Sequence, residues 1–307
     1  MIDMQSLRRI SEKILPALLL AVSGLHARGE ANGLIQPAPT APSAWTRIVM
    51  VGASASAGFT FSEPFGGTNT LKCRLSPYLD AAVKVPHEPV KNLANALFFL
   101  QPEAAGRMEI EQALKLRPTL VVGVDFPFWF CYGEGTNDAE RLQRFERGLK
   151  LLDSVLCPLV LGDIPDASSA TNTGIITPAQ VPSTAARSAA NQRLKKWAAT
   201  RPQVVIVPLS DFMRSAMADQ ALTVHGQTLS AGKTRAILQS DRLHPNPSGA
   251  AWLALGILDA LVVRQPGFAA ADVRWNAAEV LRLGSEAASA RPKISTNASA
   301  NPATSAK

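Results

Sequence analysis

The sequence predicts an α/β fold in which a mainly parallel sheet is covered by helices on both faces. Short and almost continuous apolar runs alternate with longer segments of helical periodicity, and strands that are buried on both faces have such runs. A chain of 307 residues suffices for one large domain of this kind, whereas two full domains would need more. The predicted strands are residues 47–51, 119–125, 158–164 and 204–208.

The segments between these runs favour helices, which the pattern of turn residues delimits. Asn137 begins one helix with a capping pattern that we expect to continue to Leu156, and Ser210 is expected to cap another from Asp211. Arg117 and Pro118 end the helical pattern that comes before the second strand. The remaining helices are expected at residues 92–116, 185–200, 249–262 and 275–283.

Three other segments have distinct patterns. Residues 83–91 contain two prolines and favour a strand or an extended segment. Residues 222–229 alternate around His225 and Gly226, which predicts a small hairpin. Residues 167–182 are rich in Ser, Thr, Ala and Pro and predict a long loop, either a lid that faces a substrate or a plain surface loop.

The ends of the chain differ from its centre. Arg8 and Arg9 precede an apolar run at residues 14–22 that is too short to span a bilayer, and small residues follow it. This pattern favours a secretory signal peptide over an amphipathic helix. We therefore expect a signal peptide at 1–31, a linker at 32–44, one folded domain at 45–284 and a disordered tail at 285–307. The chain would be periplasmic or secreted, with no stable membrane span after cleavage.

Charge and cysteine content exclude some functions. The net charge of +7 comes partly from the two ends, and no basic stripe is interleaved with aromatics, so nucleic acid is not an expected partner. Cys73, Cys131 and Cys157 lack the spacing of a zinc site, and no metal is implied. After export, Cys73 and Cys131 would be the favoured disulfide pair; three buried thiols are the alternative.

Two short segments point to nucleophilic catalysis. Ser54 lies in a turn of Gly, Ala and Ser directly after the first strand, and Asp241 precedes His244 by three residues. A serine hydroxyl needs an imidazole to take its proton and a carboxylate to orient that imidazole. The residues Ser54, His244 and Asp241 therefore form a candidate catalytic triad, although a serine in such a turn is often structural.

These segments resemble the GDSL or SGNH hydrolase family, which has its serine in a Gly-Asp-Ser block and a final Asp-x-x-His-Pro block. The likeness covers residues 46–262 and is most specific at 241–249. It implies a three-layer α/β/α sandwich related to flavodoxin-like sheets, with Ser54 as nucleophile, His244 as base and Asp241 as its partner. It also implies a serine esterase without a cofactor that acts on a small-molecule, lipid or glycan ester.

The chain departs from the family pattern at three positions. Ala53 replaces the aspartate beside the serine, and the second block contains no glycine, so the Ala94 N–H is the candidate oxyanion donor there. Asp125 stands where the family has an oxyanion-binding asparagine. A protonated Asp125 donates to the oxyanion, or the N–H of Ser54 and another backbone N–H replace it, or Asp125 binds loop N–H groups from behind the site; if the oxyanion has no such donor, activity is weak. A working but altered oxyanion site predicts that Asp125→Asn holds or raises turnover.

Aromatic residues follow that position directly. Phe126, Phe128 and Trp129 are the candidates for walls of an apolar acyl pocket, with core packing as the alternative.

Two other functions compete with an esterase. A dinucleotide-binding dehydrogenase requires a glycine spacing that the turn around Ser54 lacks. A non-catalytic protein that binds envelope glycans or lipids on the same scaffold remains the alternative to an esterase.

Overall fold

A five-stranded parallel sheet lies at the centre of the structure, as the sequence predicts. The structure, a computed structural model, describes residues 43–64, 66–135 and 137–290, which belong to one compact unit. The strands of the sheet are β1 Ile48–Met50, β2 Lys91–Asn92, β3 Leu120–Gly123, β4 Leu159–Gly162 and β5 Val204–Val207. Their spatial order is β2-β1-β3-β4-β5, and every neighbouring pair is parallel.

Helices cover both faces of this sheet and complete the three layers that the resemblance implies. The longer helices are α3 Ser76–Ala82, α4 Pro102–Lys115, α6 Asp138–Leu151, α7 Thr184–Ala199, α8 Leu209–Met217, α9 Pro247–Arg264 and α10 Ala277–Ser289. The short helices are α1 Ser54–Ala57, α2 Thr68–Lys72 and α5 Phe128–Cys131.

Alternate strand residues face the two helical layers. Ile48 and Met50 belong to the core with α3, α8, α9 and α10, whereas Val49 and Val51 belong to the core with α4, α5, α6 and α7. This division follows from the period of two in a strand, which sends successive side chains to opposite faces. Both faces are therefore apolar, and the strands read as continuous hydrophobic runs.

The sheet order locates the expected site. From β1 the chain continues to β2 on one side and returns to β3 on the other, so the order reverses at β1. In open α/β sheets, ligands bind at the carboxyl ends of the strands at this reversal. Ser54 follows β1 and Asp125 follows β3, so both lie at that point.

The hairpin is confirmed. Strands β6 Leu222–Val224 and β7 Gln227–Leu229 pair antiparallel, and His225 and Gly226 between them both have positive φ values, of 45° and 76°. Two residues of positive φ match the right-handed twist of a tight hairpin.

Helix boundaries differ from the predictions at four places. The pattern at 92–116 becomes helix only from Pro102, because the side chains of Asn92 and Asn95 accept the N–H groups two residues on. Such local bonds compete with a helix. Helix α6 ends at Leu151, followed by a 3₁₀ turn, instead of reaching Leu156. Ser210 does not cap α8, because the helix already begins at Leu209 and the Ser210 hydroxyl donates to the Ile164 carbonyl.

The fourth difference concerns the end of the domain. Helix α10 continues to Ser289, so residues 285–289 are helical and not part of a tail. The predicted signal peptide, the linker up to residue 42 and the tail from residue 291 lie outside the described residues.

The cysteines are free thiols, and the favoured disulfide between Cys73 and Cys131 is not formed. Cys73 directly follows α2, whereas Cys131 ends α5 inside the core with α4 and α6. Cys157 is half-buried, not fully buried.

Helix α9 is the one long, strongly apolar helix among the described residues. Its length and composition would allow it to cross a membrane, but ten of its residues are buried within the fold. A core helix of a large α/β domain has the same composition.

Candidate active site

The turn after β1 presents Ser54 at the first position of α1. Gly52 makes this turn possible, because its φ is +135° and a Cβ there would lie 2.2 Å from Oδ1 of Asp125. As the first residue of a helix, Ser54 has an N–H that no carbonyl of α1 can accept. This N–H is therefore available to a group bound beside the serine.

The loop before α9 presents His244. Asp241 Oδ1 accepts the N–H groups of Leu243 and His244, each at 2.9 Å, and Asp241 Oδ2 lies 2.7 Å from His244 Nδ1. Burial opposes ionisation of Asp241, but the hydrogen bonds and charge of His244 outweigh it, and its pKa lies below the usual range. An ionised Asp241 places the proton of the imidazole on Nδ1.

The two loops meet at the carboxyl end of β1. His244 Nε2 lies 2.7 Å from Ser54 Oγ, although the two residues are 190 positions apart in the sequence. With its Nδ1 protonated, the imidazole presents the lone pair of Nε2 to the Ser54 hydroxyl. The three predicted residues thus form one hydrogen-bonded chain, and all three are buried.

Two residues that the sequence did not single out support this meeting. The Gln239 amide donates to the carbonyl oxygens of Phe59, at 2.7 Å, and Pro245, at 3.0 Å. The Phe59 ring lies against the His244 imidazole, with 4.6 Å between the ring centroids. No motif marks either residue, because a glutamine and a phenylalanine in loops are common.

Asp125 holds the turn that carries Ser54 from behind. Its carboxylate accepts the N–H groups of Ala53, at 3.1 Å, and Ser56, at 3.0 Å, and the Ser56 hydroxyl at 2.6 Å. This is the third arrangement considered above, in which Asp125 binds loop N–H groups. Burial raises the pKa of Asp125, and the hydrogen bonds from Ser56 and Ala53 oppose that rise.

A second buried carboxyl group, that of Glu109, reaches the same turn. Glu109 Oε2 accepts the Gly52 N–H at 2.7 Å, and within the described chain Oε1 has no hydrogen-bond partner. Burial, and then the charge of Asp125, raise the pKa of Glu109 to about 9, so that it is protonated at neutral pH. The sequence does contain a sign of this role. Glu109 is a carboxyl residue on the helix face that Gly106, Ile110 and Ala113 share, and this face of α4 is buried.

Ala94 does not fill the predicted role. Its N–H donates to Oδ1 of Asn92 at 3.0 Å, and Ala94 lines a cleft other than the one beside Ser54. The hydrogen bond to Asn92 thus uses the Ala94 N–H, and the same turn keeps α4 from beginning before Pro102. The prediction of Ala94 as an oxyanion donor is wrong for this structure.

An apolar cavity of about 50 Å³ lies beside Ser54 and His244. Phe128 and Trp129 line it, as predicted. Phe126 does not, because its ring is fully buried in the core with α4, 5.3 Å from Phe98 and 5.5 Å from Phe130. The Phe126 N–H donates to the Gly123 carbonyl in a tight turn, which directs neighbouring side chains to different sides.

Comparison with known proteins gave structural neighbours only. No family model matches the sequence, and no curated protein matches it. A lipase/acylhydrolase from Enterococcus faecalis is 16% identical, with a TM-score of 0.46 over 69% of this chain and 93% of that one. A GDSL-like lipase from Parabacteroides merdae is 14% identical, with a TM-score of 0.44 over 70% and 95%.

A variant of an acetyl xylan esterase from Geobacillus stearothermophilus is 13% identical, with a TM-score of 0.41 over 73% of this chain and 95% of that one. Because these identities and TM-scores are low, we base the function on the geometry of the site.

Proposed function

We propose that this chain is a serine esterase of the GDSL or SGNH type, which hydrolyses carboxylic esters through an acyl-enzyme on Ser54. One observation carries the proposal: His244 lies 2.7 Å from both the Ser54 hydroxyl and the Asp241 carboxylate, beside an apolar cavity. A structural serine requires neither an oriented imidazole nor a cavity at its hydroxyl.

The first half of the reaction forms the acyl-enzyme. His244 Nε2 takes the proton of Ser54 as Oγ forms a bond to the carbonyl carbon of the ester, and Asp241 stabilises the resulting imidazolium. The carbonyl oxygen becomes an oxyanion, to which the Ser54 N–H donates. When the tetrahedral intermediate collapses, the bond to the alcohol oxygen breaks and His244 returns the proton to that oxygen.

The second half releases the acid. A water molecule takes the place of the alcohol, and His244 accepts one of its protons as the water oxygen attacks the acyl carbon. The bond to Ser54 Oγ then breaks, and the serine recovers its proton from His244. The products are the acid and the alcohol, and the enzyme returns to its original state. The ester and one water molecule account for every atom, so the reaction needs no cofactor.

Asp125 and Glu109 serve this chemistry from behind the nucleophile. They accept N–H groups of Gly52, Ala53 and Ser56 and so fix the turn on which Ser54 stands. A nucleophile must be held within a fraction of an ångström of its working position, because small displacements reduce the rate strongly.

The alternative is a non-catalytic protein that binds envelope glycans or lipids. Its support is that Ala94 and Asp125 are both engaged in other hydrogen bonds, which leaves fewer oxyanion donors than the family pattern has.

We further propose, from residues 1–31 alone, that the protein is periplasmic or secreted; N-terminal sequencing of the protein from the producing cells tests this.

A fluorophosphonate probe separates the two functions. It reacts with a serine only when an adjacent base activates the hydroxyl, so we expect labelling of the wild type and none of Ser54→Ala or His244→Ala. Hydrolysis of p-nitrophenyl acetate should fall by roughly a thousandfold or more in the same variants. His87→Gln is the matched control, because His87 also pairs with an aspartate, Asp80, but contacts no serine.

Equal labelling of wild type and Ser54→Ala, or no labelling and no ester hydrolysis by the wild type, would exclude this esterase and favour the binding protein.

A further inference from the structure

We infer that the site accepts only a short acyl group, of about two to four carbons, and that Met213 sets this limit. The inference rests on the proposed ester hydrolysis and adds to it the class of acid that the enzyme releases.

The size of the cavity beside Ser54 is the first observation. With a volume of about 50 Å³, this cavity is several times smaller than the sites of roughly 300 Å³ or more that enclose a whole ligand. An acetyl, propionyl or butyryl group fits this space, whereas the chain of an octanoyl group exceeds it.

The far walls of the cavity are fixed by packing. Phe212 and Leu253 belong to the core with α9, and the Phe128 ring stacks on Tyr132 with 4.1 Å between centroids. The Tyr132 hydroxyl donates to the Pro165 carbonyl at 3.0 Å, and Pro165 itself lines the cavity. Enlarging the cavity on these sides would disrupt a close-packed core.

Met213 lines both this cavity and a neighbouring groove. It is buried on α8 but lies outside both main cores, and it lines the cavity on one side and a groove of about 870 Å³ on the other. This groove runs between α7 and α8, and most of its lining residues are polar types, Ser188, Asn191 and Lys195 among them. The Met213 side chain therefore separates a small apolar space from a much larger one.

Chain-length preference tests the role of Met213. We would measure kcat/KM for p-nitrophenyl acetate, butyrate and octanoate with the full chain. The wild type should prefer acetate or butyrate to octanoate by at least about tenfold, since each methylene without space costs binding in the transition state. In Met213→Ala the cavity joins the groove, and the octanoate-to-acetate ratio should rise at least about tenfold.

Two further variants complete the test. Met217→Ala is the matched control, because Met217 lies one turn further along α8 and lines the groove but not the cavity. Its octanoate-to-acetate ratio should equal that of the wild type. Met213→Phe fills the cavity and should lower the butyrate-to-acetate ratio, which tests the inference in the opposite direction even where Met213→Ala does not fold.

The outcomes separate this inference from the proposed function. A wild type that hydrolyses octanoate as well as acetate contradicts the short-acyl limit and leaves the esterase intact. Equal ratios in Met213→Ala and Met217→Ala, or an unchanged butyrate-to-acetate ratio in Met213→Phe, contradict the role of Met213. No hydrolysis of any ester, together with no labelling of Ser54, overturns both.

Discussion

The side-chain amide of Gln239 donates to the carbonyl oxygen of Phe59 at 2.7 Å and so joins two loops that are 180 residues apart in the sequence. The first loop follows the nucleophile turn, and the second contains His244. The distance between Ser54 Oγ and His244 Nε2 therefore depends on this amide, and Gln239 acts as a positioning residue.

Gln239→Met should lower kcat/KM for p-nitrophenyl acetate by about tenfold to a hundredfold, because the carbonyls of Phe59 and Pro245 lose their donor and the loops separate. Gln265→Met is the control: its amide also donates to a carbonyl, that of Pro202, but at the opposite end of α9. Both variants should lose similar thermal stability. Equal kinetic effects would show that Gln239 acts on stability only.

Asp125→Asn should lower activity and stability, in contrast to the expectation from sequence alone. An asparagine has one accepting oxygen, so its amide nitrogen would face an N–H of the turn that Asp125 now accepts. One buried donor without a partner costs about 1 to 3 kcal/mol. Thermal unfolding and turnover of the variant measure this, and turnover at or above the wild-type level would restore the earlier expectation.

Glu109→Gln should change how stability depends on pH. The pKa of Glu109 is raised from 4.5 to about 9 on folding, so between these values the folded chain retains a proton that the unfolded chain releases. Its contribution to stability is fully present below pH 4.5 and is lost as the pH rises toward about 9. Glutamine cannot titrate, so in the variant residue 109 adds nothing to the dependence of folding stability on pH.

The measurement is urea unfolding of both proteins from pH 5 to 9. The stability of Glu109→Gln relative to wild type should increase steadily with pH, whatever its value at pH 5. Glu111→Gln, two positions along α4 at an exposed site, is the control and should run parallel to wild type. Parallel curves for Glu109→Gln would mean that Glu109 keeps its ordinary pKa.

Gly52→Ala should abolish activity. The new Cβ would lie 2.2 Å from Oδ1 of Asp125 at a φ of +135°, so the turn must shift, at a cost of about 3 kcal/mol or more. In Gly256→Ala the new Cβ meets no atom within 4 Å, and alanine favours helix α9 by up to about 1 kcal/mol. Circular dichroism melting and ester hydrolysis compare the two; retained activity in Gly52→Ala would contradict the role of the turn.

The features predicted from sequence are those with a local signal. A buried parallel strand is a continuous apolar run, and the pattern of Asp241 and His244 lies within four residues, so the sheet, the hairpin and the candidate triad were all visible. The loop from 92 to 101 was not predicted. Its apolar residues have helical spacing, but the side chains of two asparagines form turns that replace the helix.

Features that arise from three-dimensional packing had no such signal. Phe126 and Phe128 are two positions apart and both belong to the core with α4, yet only Phe128 also lines the cavity, which the tight turn after β3 decides. Gln239 and Glu109 act on residues far away in the chain. Only the position of Glu109 on an apolar helix face offered a hint of its role.

The 190-residue separation of Ser54 and His244 also affects the synthesis of the protein. Ser54, the proposed nucleophile, leaves the ribosome early, whereas His244, its proposed base, emerges much later, and such long-range contacts form late in folding. The growing chain therefore carries an unactivated serine for most of its translation. In the proposed mechanism, a product that ends before Asp241 has Ser54 without its base and would have no hydrolytic activity.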